Sequence, residues 1–107
     1  MTEPTLVYMT ASSDEEALRI GRALVGERLA ACVNVIPGMR SIYWWDGRIQ
    51  DDQETVLIAK TRTDLIAALT ERVKALHSYA VPCVVALPIT AGNKAYLDWL
   101  TGETAKC

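Results

Sequence analysis

The 107-residue sequence predicts an α+β fold. Residues 5–9, 31–45, 48–61 and 81–89 are β-branched or aromatic runs of strand character. Residues 12–30 and 63–78 place apolar side chains at helical spacing. Between the two longest strand-like runs stands Asp46-Gly47, a pair suited to a two-residue hairpin turn because both tolerate positive φ. In chain order this gives strand, helix, strand, strand, helix, strand and a small closing helix. That is the βαββαβ plan of a ferredoxin-like sandwich with a long β-hairpin and a short C-terminal helix. Length indicates one domain over residues 1–107, with its core over about 5–100.

Each element has a local reason. The first helix opens with capping-box spacing, Ser12 with Glu15 or Ser13 with Glu16. Ala17, Ile20, Gly21 and Leu24 form its apolar stripe, with Leu18 and Val25 beside them, and Glu15, Arg19 and Arg22 mark the wet side. Pro37-Gly38 interrupts the second strand and reads as a bulge or bend. A two-residue turn at Asp46-Gly47 sets Trp45 opposite Arg48 and Trp44 opposite Ile49. Carried outward without a bulge, that register sets Val33 opposite Lys60. Thr63 suits the N-cap of the second helix and Asp64 its positive end, while Ile66, Leu69, Val73 and Leu76 supply its apolar stripe. Lys74 and His77 fall near its negative end. Pro82 opens the last strand, and Pro88, which cannot donate to a ladder, gives it a free edge. In the closing helix Tyr96, Leu97 and Leu100 are expected to face inward, and residues 101–107 to fray.

"SIYWW", residues 41–45, breaks the one-sided pattern of a half-buried strand: Ile42 and Trp44 point one way, Tyr43 and Trp45 the other. Hairpin arms of about a dozen residues reach roughly 40 Å, beyond the extent of so small a domain. Both faces of the hairpin are therefore apolar and neither is fully served by its own chain. Association with further copies is the economical answer.

A formal net charge of −2, with both signs mixed along the chain, gives no electrostatic case for nucleic acid or an anionic membrane. No apolar run approaches a membrane span, and the N-terminus shows no export signal, so a cytoplasmic setting is expected. The three cysteines, Cys32, Cys83 and Cys107, are widely spaced and expected to be reduced. Cys32 and Cys83 read as packed small hydrophobes, Cys107 as an incidental exposed thiol. With one histidine, no GxSxG and no phosphate-cradling glycine loop, no catalytic constellation is visible and no enzyme is expected. Asp51, Asp52 and Glu54 are either a solvated charge run or a carboxylate site at a subunit junction. His77 is either dipole-paired at a helix end or part of a metal or ligand cleft. Tyr79 serves packing or recognition. Lys60 either snorkels outward or carries its charge into a cleft.

The stretches "ERLAACVNVIPGMRSIYWWDGRIQDDQE", "LIAKT", "LHSYAVP" and "GNKAYLDWL" resemble the CutA divalent-cation tolerance proteins. The resemblance runs from about Leu6 to Leu100. It implies a tight homotrimer similar in build to the PII signalling proteins, in which hairpins cross neighbouring subunits and cover Tyr43, Trp44 and Trp45 from both sides. It implies copper or another divalent cation as ligand. Positions recurring in the family's intersubunit clefts match Cys32, Asn34, Tyr43, Trp45, Glu54, Lys60 and Tyr79, with His77 as the metal ligand. Two positions depart from the family pattern: Ser78 replaces a proline, and Cys83 replaces a carboxylate with a soft sulfur. Where copper-binding members carry a cysteine and a second histidine, this chain has Met9 and Leu76. Met9, His77 and Cys83 together would suit Cu(I). The alternatives are a PII-like signalling module that takes a small anionic metabolite in the intersubunit cleft, with Lys60 supplying charge, and an enzyme using Lys60, Glu54 and His77 across the interface as acid–base groups.

Overall fold

A computed structural model describes residues 3–104. The strands are β1 (Pro4–Ala11), β2 (Cys32–Trp45), β3 (Arg48–Arg62) and β4 (Val84–Pro88); the helices are α1 (Asp14–Gly26), α2 (Ile66–Leu76) and α3 (Lys94–Gly102). The four strands form one sheet in the order β2-β3-β1-β4, and every neighbouring pair is antiparallel. This is the βαββαβ arrangement followed by a closing helix. β4, with Pro88 at its end, lies at a sheet edge.

Helices α1 and α2 cover one face of the sheet. Val7, Met9 and Ala11 of β1 and Leu57 and Ala59 of β3 meet Ala17, Ile20 and Leu24 of α1 and Leu69 and Val73 of α2 in one apolar core. Gly21 lets α1 lie close against β2, since a Cβ there would come within 3.2 Å of the Val33 side chain. Leu18 and Val25 flank the stripe and stay exposed. Ser13 caps α1 by accepting the Glu16 N–H at 3.1 Å. Thr63 does not cap α2. It starts a 3₁₀ turn, Thr63–Leu65, and its hydroxyl lies 2.7 Å from that of Thr5, while α2 begins at Ile66.

The bulge lies where Pro37-Gly38 indicates. Ile36 pairs with Val56 and Met39 with Glu54, so Pro37 and Gly38 together oppose Thr55. Gly38 has φ +79, a left-handed conformation that a side chain strains. Distal to the bulge, Trp45 faces Arg48 and Trp44 faces Ile49, as a two-residue turn requires. Proximal to it the register has moved by one: Val33 faces Ala59, and Cys32 faces Lys60. The extra residue is what displaces the Val33–Lys60 pairing expected from an uninterrupted ladder.

The other sheet face carries rows set by this register: Cys32, Lys60, Leu6 and Leu87; Asn34, Ile58, Tyr8 and Val85; Ile36, Val56 and Thr10. Ile36, Val85 and Leu87 on it are exposed. The molecule is 44 Å along its longest axis. On the hairpin, Ile42 and Trp44 are each 72% exposed and Ile49 63%, and Trp45 on the opposite side is 55% exposed. One subunit thus leaves both sides of the hairpin uncovered.

At the C-terminus, Asn93 caps α3 by accepting the Ala95 N–H. Leu100 is fully buried, whereas Tyr96 is exposed and packs against Trp99 instead of turning inward. Residues 101–104 do not fray. α3 continues to Gly102, Arg28 pairs with Glu103 at 2.8 Å, and Thr104 is buried with its hydroxyl donating to the Thr101 carbonyl. Cys107 and residues 105–106 lie outside the described residues. Cys32 and Cys83 are free thiols of intermediate exposure, on the sheet face opposite the core instead of within it. No helix among the described residues is long and apolar enough to cross a membrane.

Gly38→Val is expected to cost about 1–3 kcal/mol, because a β-branched residue is forced into a positive φ at a site with no compensating contact. Urea unfolding with a shifted midpoint and an unchanged slope checks it.

Candidate functional site

The site is built around the segment joining α2 to β4. Its residues 78–83 belong to no helix or strand and make no backbone–backbone hydrogen bond among the described residues. Side chains hold it instead. His77 ends α2, its N–H donating to the Val73 carbonyl. Its ring is enclosed, with Nε2 2.7 Å from the Thr10 carbonyl oxygen and Nδ1 accepting the Tyr79 N–H at 3.0 Å. A carbonyl only accepts and an amide N–H only donates, so the ring proton sits on Nε2. The imidazole also packs on the Tyr79 ring at 4.6 Å.

Glu16 supplies the second anchor. Its Oε1 accepts from the Ser12 N–H at 2.9 Å and the Ser12 hydroxyl at 2.8 Å, and its Oε2 accepts the Ser78 N–H at 2.7 Å. Burial pushes this carboxyl up, but hydrogen bonds from Ser12 and Ser78 outweigh that and hold it down at about 2. The capping box therefore forms at Ser13–Glu16, with the return bond going to Ser12. Its carboxylate has a further task the sequence did not disclose: fastening the start of the α2–β4 segment, 62 residues away. A Ser-x-x-Glu pattern explains itself locally, so nothing in it signals a distant partner.

The third anchor forms the cleft. The Tyr79 hydroxyl donates to Glu54 Oε2 at 2.7 Å, and on the hairpin the Tyr43 hydroxyl donates to Asp52 at 2.8 Å. Tyr8, Tyr43, Trp45, Glu54, Tyr79 and Cys83 are among the residues lining a cleft of about 610 Å³ at the hairpin base. Burial, then Glu54, raise Tyr79 above the ordinary phenol value. The bond to Asp52 raises Tyr43. Burial, then Glu54, raise the Cys83 thiol. The hydroxyls and the thiol thus stay protonated around a buried carboxylate.

Of the residues singled out by sequence, Tyr43, Trp45, Glu54 and Tyr79 come together here. Cys32, Asn34 and Lys60 do not. They lie toward the other end of β2 and β3, where Cys32 faces Lys60, the Cys32 thiol is 3.9 Å from Asn34 Oδ1, and Lys60 Nζ stands 5.5 Å over the Tyr96 ring. Five residues of β3 lie between Glu54 and Lys60, a separation of roughly 20 Å. No described carboxylate forms an ion pair with Lys60. The acidic run divides: Asp51 pairs with Arg40 at 2.7 Å, Asp52 serves Tyr43 and Glu54 serves Tyr79.

The described residues of one chain do not form a metal centre. Both nitrogens of His77 are engaged, so coordination would cost it the Thr10 or the Tyr79 bond. Met9 is packed in the core under α1, on the opposite side of the sheet from Cys83, which lines the cleft, so Met9, His77 and Cys83 form no common site. No group of three or more His, Cys, Asp or Glu side chains suited to an ion occurs among the described residues.

Fold and site define a small α+β protein with an antiparallel sheet covered on one face, an overlong hairpin and a carboxylate-bearing aromatic cleft. Residues 5–103 match the family described as CutA1 divalent ion tolerance protein, and the chain belongs to that family. It is 56% identical over 99 residues to the divalent-cation tolerance protein CutA of Thermus thermophilus, covering 92% of this chain and 96% of that one. It is 51% identical over 104 residues to the chloroplastic protein CutA 1 of Oryza sativa, covering 96% of this chain but only 59% of that longer protein. The solved structure of the Thermus thermophilus divalent cation tolerance protein superposes with a TM-score of 0.93 at 54% identity, covering 95% of this chain and 99% of that one.

Because Glu16 is held at about 2 against an ordinary 4.5, its contribution is complete above pH 4.5, declines as pH falls toward 2 and is absent below. Glu16→Gln is expected to cost about 1–3 kcal/mol at neutral pH and to flatten the loss of stability over that acid window. Urea unfolding at a series of pH values measures both. His77→Ala is expected to cost a similar 1–3 kcal/mol or more, about what orphaning buried partners costs, whether or not metal ions are added.

Proposed function

We propose that the chain acts in divalent-cation tolerance as a homotrimer in the cytoplasm, by binding instead of catalysis, and that the cleft at the hairpin base is its ligand site. Family membership supports the tolerance role. The observation that carries the assembly is the hairpin: Ile42, Trp44 and Ile49 on one side and Trp45 on the other are exposed in a single subunit, next to a sheet face bearing Ile36, Val85 and Leu87. An apolar surface of that extent on both sides of a ribbon calls for a partner, and copies of the chain supply one of matching shape. Donors among the described residues of one chain do not assemble a metal centre, which supports a site for copper or another divalent ion between subunits.

A second reading, a PII-like signalling module that takes a small anionic metabolite, is supported by Lys60. It carries a cation on the open sheet face beside Cys32 and Asn34, with no described carboxylate to neutralise it. That end of the sheet, not the cleft, is where an anion would sit.

Light scattering on the purified protein is expected to give three times the chain mass at micromolar concentration, and Trp44→Glu to give single chains. A single-chain mass for the unmodified protein would overturn the assembly. Calorimetric titration with Cu(II) and Zn(II) is expected to show ion uptake by the assembled protein that disappears in Trp44→Glu. Full uptake by the dissociated variant would place the metal within one chain and contradict the proposal. Saturable uptake of an anionic metabolite that Lys60→Ala abolishes would favour the second reading.

A further inference from the structure

Residues 78–83 join α2 to β4 without belonging to either. Among the described residues, none of this segment is part of the apolar core between helices and sheet, and none makes a backbone–backbone hydrogen bond. Both ends are held. The His77 N–H donates to the Val73 carbonyl of α2, and Val84 is already paired with Met9 of β1. Between those points three side-chain bonds close the segment. The Ser78 N–H donates to Glu16 Oε2 at 2.7 Å, the Tyr79 N–H to His77 Nδ1 at 3.0 Å, and the Tyr79 hydroxyl to Glu54 Oε2 at 2.7 Å. The acceptors Glu16, His77 and Glu54 are buried within the subunit itself, so these bonds do not depend on what a neighbouring copy covers.

Stability is not uniform across a fold. Segments with few backbone bonds and little share in the core open below the global unfolding free energy, in contiguous cooperative units. The contrast here is steep. β1 and β3 are inner strands, paired on both sides, and their side chains Val7, Met9, Leu57 and Ala59 are fully enclosed in the core. The acceptors that hold the segment stand on α1, on β3 and just past the end of α2, but the residues they hold, Ser78 and Tyr79, are adjacent. Adjacent residues share a planar peptide unit, so a swing that frees one amide displaces the other.

We infer that residues 78–83 form a strap that opens and closes as one unit while the sheet, α1 and α2 stay folded. Opening frees Glu16 Oε2, His77 Nδ1 and Glu54 Oε2 together, three acceptors that the closed strap occupies. The strap is independent of which ligand the protein takes and of where that ligand sits.

Amide hydrogen exchange, resolved by NMR on the full-length assembled protein across urea concentrations below its unfolding transition, tests this. The Ser78 and Tyr79 amides are expected to share one opening constant, larger than that of Val7 and Leu57 in the core. Its urea dependence is expected to be weaker than theirs, because opening a strap exposes less surface than unfolding the sheet. Tyr79→Phe keeps the ring on His77 and removes only the bond to Glu54. It is expected to raise opening at both amides about tenfold or more, the scale of a lost hydrogen bond to a charged group. Ser78 is included although its own bond to Glu16 is intact. Ser78→Ala keeps the amide and loses only a hydroxyl 3.4 Å from that of Ser12, and is expected to leave both amides unchanged. A Tyr79→Phe effect confined to the Tyr79 amide would overturn the single unit. Exchange of both amides at the core's rate and with the core's urea dependence would overturn opening short of global unfolding. Opening unmoved by Tyr79→Phe would show that a neighbouring copy holds the segment, and would overturn the strap as well.

Discussion

The two-against-one step at Pro37 and Gly38 decides which aromatic residues reach the cleft. On β3, Glu54, Val56, Ile58 and Lys60 share the sheet face opposite the helices. Proximal to the bulge the residues of β2 on that face are Cys32, Asn34 and Ile36; distal to it they are Met39, Ser41, Tyr43 and Trp45. In an uninterrupted ladder the alternation would have continued through even numbers, placing Ile42 and Trp44 beside Glu54. One additional residue therefore exchanges a purely apolar pair for a tyrosine that engages Asp52 and a tryptophan that lines the cavity. The left-handed φ of Gly38 makes that exchange possible without a strained side chain.

The remaining wall depends on polar groups withdrawn from water. Ser78 and Tyr79 are positioned by Glu16, His77 and Glu54, three ionisable side chains that are each almost fully enclosed. Enclosed polar groups cost stability unless satisfied, and here most of that demand is met by the segment they fix in place. Fold and site are coupled in one direction: the sheet and α1 stand on an apolar core, and the segment 78–83 stands on them. The same one-sided core leaves Ile36, Val85 and Leu87 on the second sheet face uncovered, so a chain with ample apolar composition still ends with tryptophan facing solvent in isolation.

Much of this was legible in the sequence because periodicity and turn chemistry are local. Asp46-Gly47 fixed the tip register, Pro37-Gly38 marked the bulge, and Ala17, Ile20, Gly21 and Leu24 marked the buried side of α1. What was not legible required summing local facts over distance. Pro37-Gly38 announces the bulge, but its effect on the Val33 pairing appears only when residues are counted through it. Thr63 has the chemistry of a cap, yet the nearby hydroxyl of Thr5 competes for it. Tyr96 looks inward by spacing, but Leu100 and Thr104 occupy the buried side of α3. Glu54 and Lys60 both read as cleft residues, although a strand keeps them far apart within one chain. His77 reads from sequence as a helix-end or cleft residue, while its two partners, the Thr10 carbonyl and the Tyr79 amide, are backbone atoms that no residue type announces.

Because residues 78–83 are pinned by side chains and contribute nothing to the sheet's own ladder, their replacement leaves strand pairing intact. Substitution at Ser78 or Cys83 therefore reshapes that wall, and what the cavity admits, without removing a ladder hydrogen bond. Selection can act on recognition here with little interference from architecture.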